Sequence, residues 1–331
     1  MRVLKVKVPV FYLLLSASVF LSLGLYISHK PKKTEVKQEI GQTSVETIRK
    51  RDGRLIQPLL LVDVITDQPS LTALKESVSN YIMQKKAAGE ISAASVYLRD
   101  YNSAKSFTIN PSEEYMPGSI MKLPILITFL KDAETNPGLL KKKLFFKKHF
   151  EGIPEQTLTA APLTEGREYT VQELLEYMII NSDNDATALL NQNINVESFR
   201  VLFRVLGYRE PDLKDWNYEM TVLECSRFMT LLFNSTYLSE TNSEYALRLL
   251  THTGYNEGLT KDPGMQLTVA HKFGERLYNG EQQLHETAIF YLGDTPYVLT
   301  VMTKGKDRKD LPSVLSDISR MTLSSLKGQA L

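Results

Sequence analysis

With a single cysteine in 331 residues, Cys225, the chain cannot form an intramolecular disulfide or carry a lipid on an N-terminal cysteine. Cys225 falls in an apolar stretch that reads as a helix, where a thiol acts as a small core group. Neither His-x-x-x-His nor Cys-x-x-Cys spacing occurs, so no metal and no other cofactor is expected. A net charge of +1 and the lack of a Gly-rich phosphate loop argue against nucleic acid as a partner. No internal repeat is present.

Charge is also missing locally. Val8 to Ser28 carries none and is about 20 residues long, enough to span a bilayer. Arg2, Lys5 and Lys7 precede it and Lys30, Lys32 and Lys33 follow, so flanking charge does not orient it. Ser16-Ala17-Ser18 lies inside the run rather than at its end, which favours an uncleaved anchor over a removed signal peptide. The expectation is a single-pass cell-membrane protein with an extracytoplasmic body: residues 1–29 an anchor or signal segment, 30–54 a polar tether, and 55–331 a catalytic domain.

What is present is apolar content of 43%, enough for a substantial core. Leu71, Leu74, Val78 and Ile82 recur at helical spacing over 71–88, and 311–326 closes the chain as a helix. Residues 93–100 and 105–110 read as a hairpin, as do 287–292 and 296–303 around Gly293-Asp294-Thr295. Thr170 with Glu173 forms a capping box ahead of Leu174, Leu175, Met178 and Ile179. The pattern predicts an α+β fold of three α/β/α layers, an antiparallel sheet flanked by helices, with an all-helical lobe inserted at about 119–250.

Three short motifs carry chemistry. Ser119-Ile120-Met121-Lys122 opens an apolar helix after Pro117-Gly118, and positions three apart on a helix share a face. An amine of lowered pKa there can take the proton of a serine and make it nucleophilic. Ser119 also stands where an N-cap would, and Pro124 looks misplaced, past the first turn. Asn181-Ser182-Asp183-Asn184 is a polar break between two buried helices, and His271-Lys272-Phe273-Gly274-Glu275 ends a β-rich run. Singly, each has an ordinary explanation: a cap, a second cap, a solvated strand lysine.

In this order, Ser-x-x-Lys, Ser-Asp-Asn and Lys-x-Gly form the signature set of penicillin-recognising serine enzymes, and from about Leu71 to Leu326 the chain resembles the class A β-lactamase family. The resemblance implies that Ser119 forms an acyl-enzyme, Lys122 is its base or proton relay, and Ser182 passes a proton to the leaving nitrogen. It further implies that Asn184 holds the substrate's amide side chain and that Lys272 adds positive charge beneath Ser182 and the substrate carboxylate. Beyond Gly274, the N–H of Glu275 would join that of Ser119 in an oxyanion hole, each donor worth roughly 3–4 kcal/mol in other acyl-transfer enzymes.

Two departures bear on activity. Phe273 replaces the small hydroxyl residue that grips the substrate carboxylate; Arg276 is the candidate substitute, the alternative being a pairing with a surface carboxylate. The deacylating glutamate of the family, in a Glu-x-x-Leu-Asn pattern, has Glu210-Pro211-Asp212-Leu213-Lys214 as its nearest counterpart, with Glu219 a weaker candidate. Without that base the ester would persist. The leading expectation is therefore a monomeric serine hydrolase opening a β-lactam or a related peptidoglycan-derived amide. The rivals are a D-alanyl-D-alanine peptidase and a non-hydrolytic penicillin- or peptidoglycan-binding module. The Lys141–His149 run reads as a solvated face over buried aromatics, with contact to an anionic polymer or headgroup as the sharper option.

Overall fold

The chain is represented by a computed structural model that describes residues 46–49, 55–56, 59–63, 69–153, 158, 161–212, 217–261 and 267–327. Among the described residues, strands β1 (Glu46–Arg49) and β2 (Leu59–Asp63) pair only with each other, so part of the expected tether is β-structure. Helix α1 (Pro69–Ala87) follows, then β3 (Ala93–Asp100), β4 (Ser106–Ile109) and the short β5 (Glu114–Tyr115). The lobe comprises α2 (Lys122–Thr135), the hairpin β6 (Lys143–Phe146) and β7 (Arg167–Thr170), then α3 (Val171–Ile180), α4 (Asn184–Asn191), α5 (Val196–Val205), β8 (Met220–Thr221), α6 (Val222–Asn234) and α7 (Glu240–Leu250). The chain then returns to the sheet with β9 (Thr268–Tyr278), β10 (Glu281–Leu292) and β11 (Thr295–Gly305), and ends on α8 (Leu311–Lys327).

The main sheet is antiparallel throughout, in the order β4-β3-β11-β10-β9, which leaves β9 at one edge. Alternation along its strands gives it two apolar faces. One face, with Val96, Leu98, Ala288, Leu299 and Val301, packs against Leu74, Val78 and Ile82 of α1 and Val314, Leu315 and Ile318 of α8. The other, with Ala270, Ile289, Val298 and Met302, joins the core of the helical lobe through Leu126, Leu174 and Phe228. This is the expected α+β, three-layer architecture.

The capping box predicted at Thr170 is present: its hydroxyl accepts from Glu173 N while Glu173 Oε2 accepts from Thr170 N at 2.7 Å. Thr221 and Glu224 form a second box that starts α6, the helix that buries Cys225. The apolar run 8–28 lies outside the described residues; among those described, no helix is long and apolar enough to cross a membrane.

Candidate active site

Ser119 does not cap a helix. It lies inside a tight 3₁₀ turn, Gly118–Met121, and α2 begins only at Lys122 with no side-chain cap. Its hydroxyl therefore makes no hydrogen bond among the described residues. The same shift resolves the proline. Pro124 is the third residue of α2, within the first turn, where backbone N–H groups have no helical partner to lose.

Strand β9 runs directly against this turn. A Cβ on Gly274 would come within 2.8 Å of Ile120 N and 2.9 Å of Ser119 N, and one on Gly118 within 2.5 Å of Glu275 O and 2.8 Å of Glu275 N. Only glycine permits both approaches, and Gly118 also has φ +55°. The Ser119 and Glu275 amides are thereby brought to one spot. From the other side of the strand ladder, two buried side chains of β10 hold Met116, three residues before the serine. Gln283 Oε1 accepts from Met116 N at 2.9 Å, and His285 Nε2 donates to Met116 O at 3.1 Å. His285 Nδ1 accepts from Thr303 N at 3.2 Å, so the ring is neutral with its proton on Nε2, and burial lowers its pKa to about 3.

Lys122, 3% exposed, donates to Ser182 O, to Asn184 Oδ1 at 2.8 Å and to Ser182 Oγ at 3.2 Å. Lys272, fully buried, donates to the same Ser182 Oγ at 2.9 Å and to Phe273 O at 3.2 Å. One hydroxyl thus joins two amines. It is aimed between them by a left-handed backbone, φ +54° at Ser182, a conformation that costs a non-glycine residue roughly 1–3 kcal/mol. Asp183 Oδ1 accepts from Ala186 N at 2.7 Å and so caps α4, fixing the first residue of that helix, Asn184.

Burial removes water from both ammonium groups and lowers both pKa values, that of Lys122 to about 7, against a smaller opposing pull from Asp183. Lys272 falls well below its ordinary value through burial and then through repulsion by Lys122. Lys122 is thus lowered by desolvation rather than chiefly by crowding from Lys272.

Phe273 places its ring under the Lys272 ammonium, whose Nζ lies 4.5 Å from the ring centroid. The same ring, 4.2 Å from that of Tyr255 and nearly parallel to it, sits in the core beneath α1 and α8. His271, on the same face, pairs through Nδ1 with Glu286 Oε1 at 2.6 Å, while Glu286 Oε2 accepts from Leu259 N at 2.6 Å. His271 is therefore a structural strand residue, and both oxygens of Glu286 are occupied.

Six of the positions expected in the site, Ser119, Lys122, Ser182, Lys272, Gly274 and Glu275, converge here, with Asn184 on Lys122. Glu210 does not. It is 40% exposed and paired with Arg204 Nε at 2.9 Å on the surface, and Glu219 is exposed. Residues 213–216 lie outside those described. Among the described residues no carboxylate hydrogen-bonds to Lys122, and no group of His, Cys, Asp or Glu side chains is arranged to hold a metal ion. Gln283, His285 and Tyr255 were not foreseen, because each acts on backbone or ring neighbours distant in sequence.

In fold the chain is similar to PBP-A (TM-score 0.66, 20% identity, 78% of this chain and 97% of that one), a mutant of which is known as an acyl-enzyme complex with penicillin G. It is also similar to the TLA-1 extended-spectrum β-lactamase (0.65, 18%, 77% and 98%) and to a class A β-lactamase from Mycobacterium abscessus (0.63, 18%, 76% and 99%). No curated protein matches the sequence. Residues 73–326, most of the chain, match the β-lactamase enzyme family as a family. Fold, motif order and that match agree, and the protein is a member of the β-lactamase enzyme family.

Proposed function

We propose that this protein is a serine acyl-transfer hydrolase that opens β-lactams or related cell-wall amides through an ester on Ser119, and that it releases the ester slowly. The observation that carries the reading is the relay through one hydroxyl: Lys122 and Lys272 both donate to Ser182 Oγ, at 3.2 and 2.9 Å, beside a serine turn whose own hydroxyl is unengaged. Neutral Lys122 takes the proton of Ser119 as Oγ attacks the carbonyl carbon. The Ser119 and Glu275 amides receive the developing oxyanion. As the C–N bond breaks, Ser182 Oγ gives its proton to the leaving nitrogen and regains one from Lys122. Lys272 keeps Ser182 oriented throughout.

Slow release rests on Glu210, whose surface pairing with Arg204 leaves it no part in activating water. The same absence favours a second reading, a penicillin-binding protein acting on D-alanyl-D-alanine termini. The uncharged run 8–28 completes the proposal as an anchor holding a monomeric body outside the membrane.

A fluorescent penicillin should label the chain from Arg54 onward and fail to label its Ser119→Ala variant. Intact-mass measurements should show the adduct lasting for many minutes, with little turnover of a chromogenic cephalosporin. Rapid turnover would overturn slow release, and labelling that survives Ser119→Ala would overturn the mechanism.

A further inference from the structure

The direction in which β9 crosses the site assigns the two ends of the substrate. This inference rests on the acyl-enzyme reading above. Ser182 Oγ is the group that protonates the leaving nitrogen, and Lys272 is the strand residue that touches it. The leaving-group side of the scissile bond therefore lies at residue 272. Two residues on, Gly274 packs under the Ser119 turn, and the Glu275 amide marks the carbonyl oxygen. The acyl side continues in the same direction. At about 3.3 Å per residue, residue 276 lies roughly 7 Å beyond Gly274 and 13 Å beyond Lys272.

Arg276 stands at that acyl end. Its cross-strand partner is Gln283, and Gln283 reaches Met116 on the nucleophile face, so Arg276 projects from the same face. It is half-buried and makes neither an ion pair nor a side-chain hydrogen bond among the described residues. Its neighbour Glu275 is already taken, by Arg308 Nε at 2.9 Å.

At the other end of the site, the two strand positions that would meet an anion, 272 and 273, are already engaged. Lys272 is fully buried with its donors committed to Ser182 and Phe273 O, and the side chain at 273 is an aromatic ring stacked on Tyr255. Arg276, a half-buried cation with neither an ion pair nor a side-chain hydrogen bond among the described residues, lies on the acyl side.

We propose that Arg276 is a specificity residue that binds a carboxylate carried on the acyl portion of the substrate, as in a peptide whose side chain or branch ends in a carboxyl group near the scissile amide. A guanidinium meets a carboxylate through two parallel N–H donors, which a lysine cannot reproduce.

The test uses two penicillins that differ by one group: benzylpenicillin, and its derivative bearing a carboxylate on the side-chain α-carbon. Second-order acylation rate constants are measured for both, on the wild-type chain and on its Arg276→Gln and Arg276→Lys variants. The wild type should favour the carboxylated compound by about tenfold, the scale of one charge-assisted hydrogen bond. Arg276→Gln should bring the ratio to about one, with Arg276→Lys in between. A wild-type ratio near one, or a ratio unmoved by Arg276→Gln, overturns the proposal. So does an equal loss of both rate constants, which would make Arg276 a structural support. Failure of both compounds to acylate the wild type would instead overturn the underlying acyl-enzyme reading, and this inference with it.

Discussion

Lys122 illustrates how burial becomes chemistry at a single residue. An ammonium in water holds its proton far above neutrality, whereas this one, deprived of water, titrates near 7 and is substantially neutral at physiological pH. If the neutral form accepts the serine proton, as proposed, acylation by a fluorescent penicillin should rise with pH through about 7 and then level off. The curve belongs to the Lys122–Lys272 pair, since each amine disfavours charge on the other. Replacing Lys122 by Met should lower the acylation rate by about 10²–10⁴-fold, the usual range for a lost general base. Glu210→Gln should behave oppositely to a deacylation mutant. Its pair with Arg204 is exposed and screened by solvent, so ester lifetime and stability should both stay near wild type. A marked lengthening of the ester lifetime in that variant would restore Glu210 to the mechanism.

At the scale of elements, the site is a contact between a turn and a strand that tolerates no side chain between them. Gly274→Ala would drive a methyl group into the backbone of Pro117, Ser119 and Ile120, and overpacking of this kind costs about 1–3 kcal/mol. Labelling by penicillin should fall more steeply than the melting temperature, because the Ser119 and Glu275 amides would separate first. The clamp on Met116 has its own pH signature. His285 has a folded pKa near 3 against an ordinary 6.5, so between these values the unfolded chain binds a proton that the folded one does not. Its contribution to stability is present above about 6.5 and is lost as pH falls toward 3. Urea unfolding between pH 7 and 4.5 should show a steeper loss for the wild type than for His285→Gln, whose amide has no such titration.

At the scale of the whole molecule, the segment before α1 is part of the fold. Leu55 N and Ile56 N both donate to Glu244 Oε2, at 2.8 and 3.1 Å, Tyr291 Oη donates to Leu55 O at 2.5 Å, and Ile56 is buried. A chain that begins at residue 66 leaves the half-buried Glu244 and Tyr291 without these partners, at a cost of about 0.5–1.5 kcal/mol for each lost hydrogen bond. It should therefore melt lower by calorimetry than a chain that begins at residue 54.

Much of this architecture was legible because helical periodicity holds over long stretches, as in α1, and is joined by a capping box at the start of α3. The short pairs β5–β8 and β6–β7 were not, since strands of two to four residues take their stability from partners far along the chain. The first half of β10 was missed for a more specific reason. Glu281 to Glu286 is too polar to read as a strand, and it is polar because Gln283, His285 and Glu286 bind Met116, Thr303, His271 and Leu259. The four side chains of the proposed reaction were legible as motifs. The Phe273 substitution was visible too, but its stacking on Tyr255 depends on a loop that only the fold brings alongside.

The sheet stops at β9, the strand that carries Lys272, Gly274 and Glu275. A sheet one member short leaves a vacant place beside its working edge, and an extended acyl chain bound to Ser119 would occupy it. For as long as the ester lasts, the ligand is then an added strand of the fold, and the acylated protein should resist heat and proteolysis better than the free one.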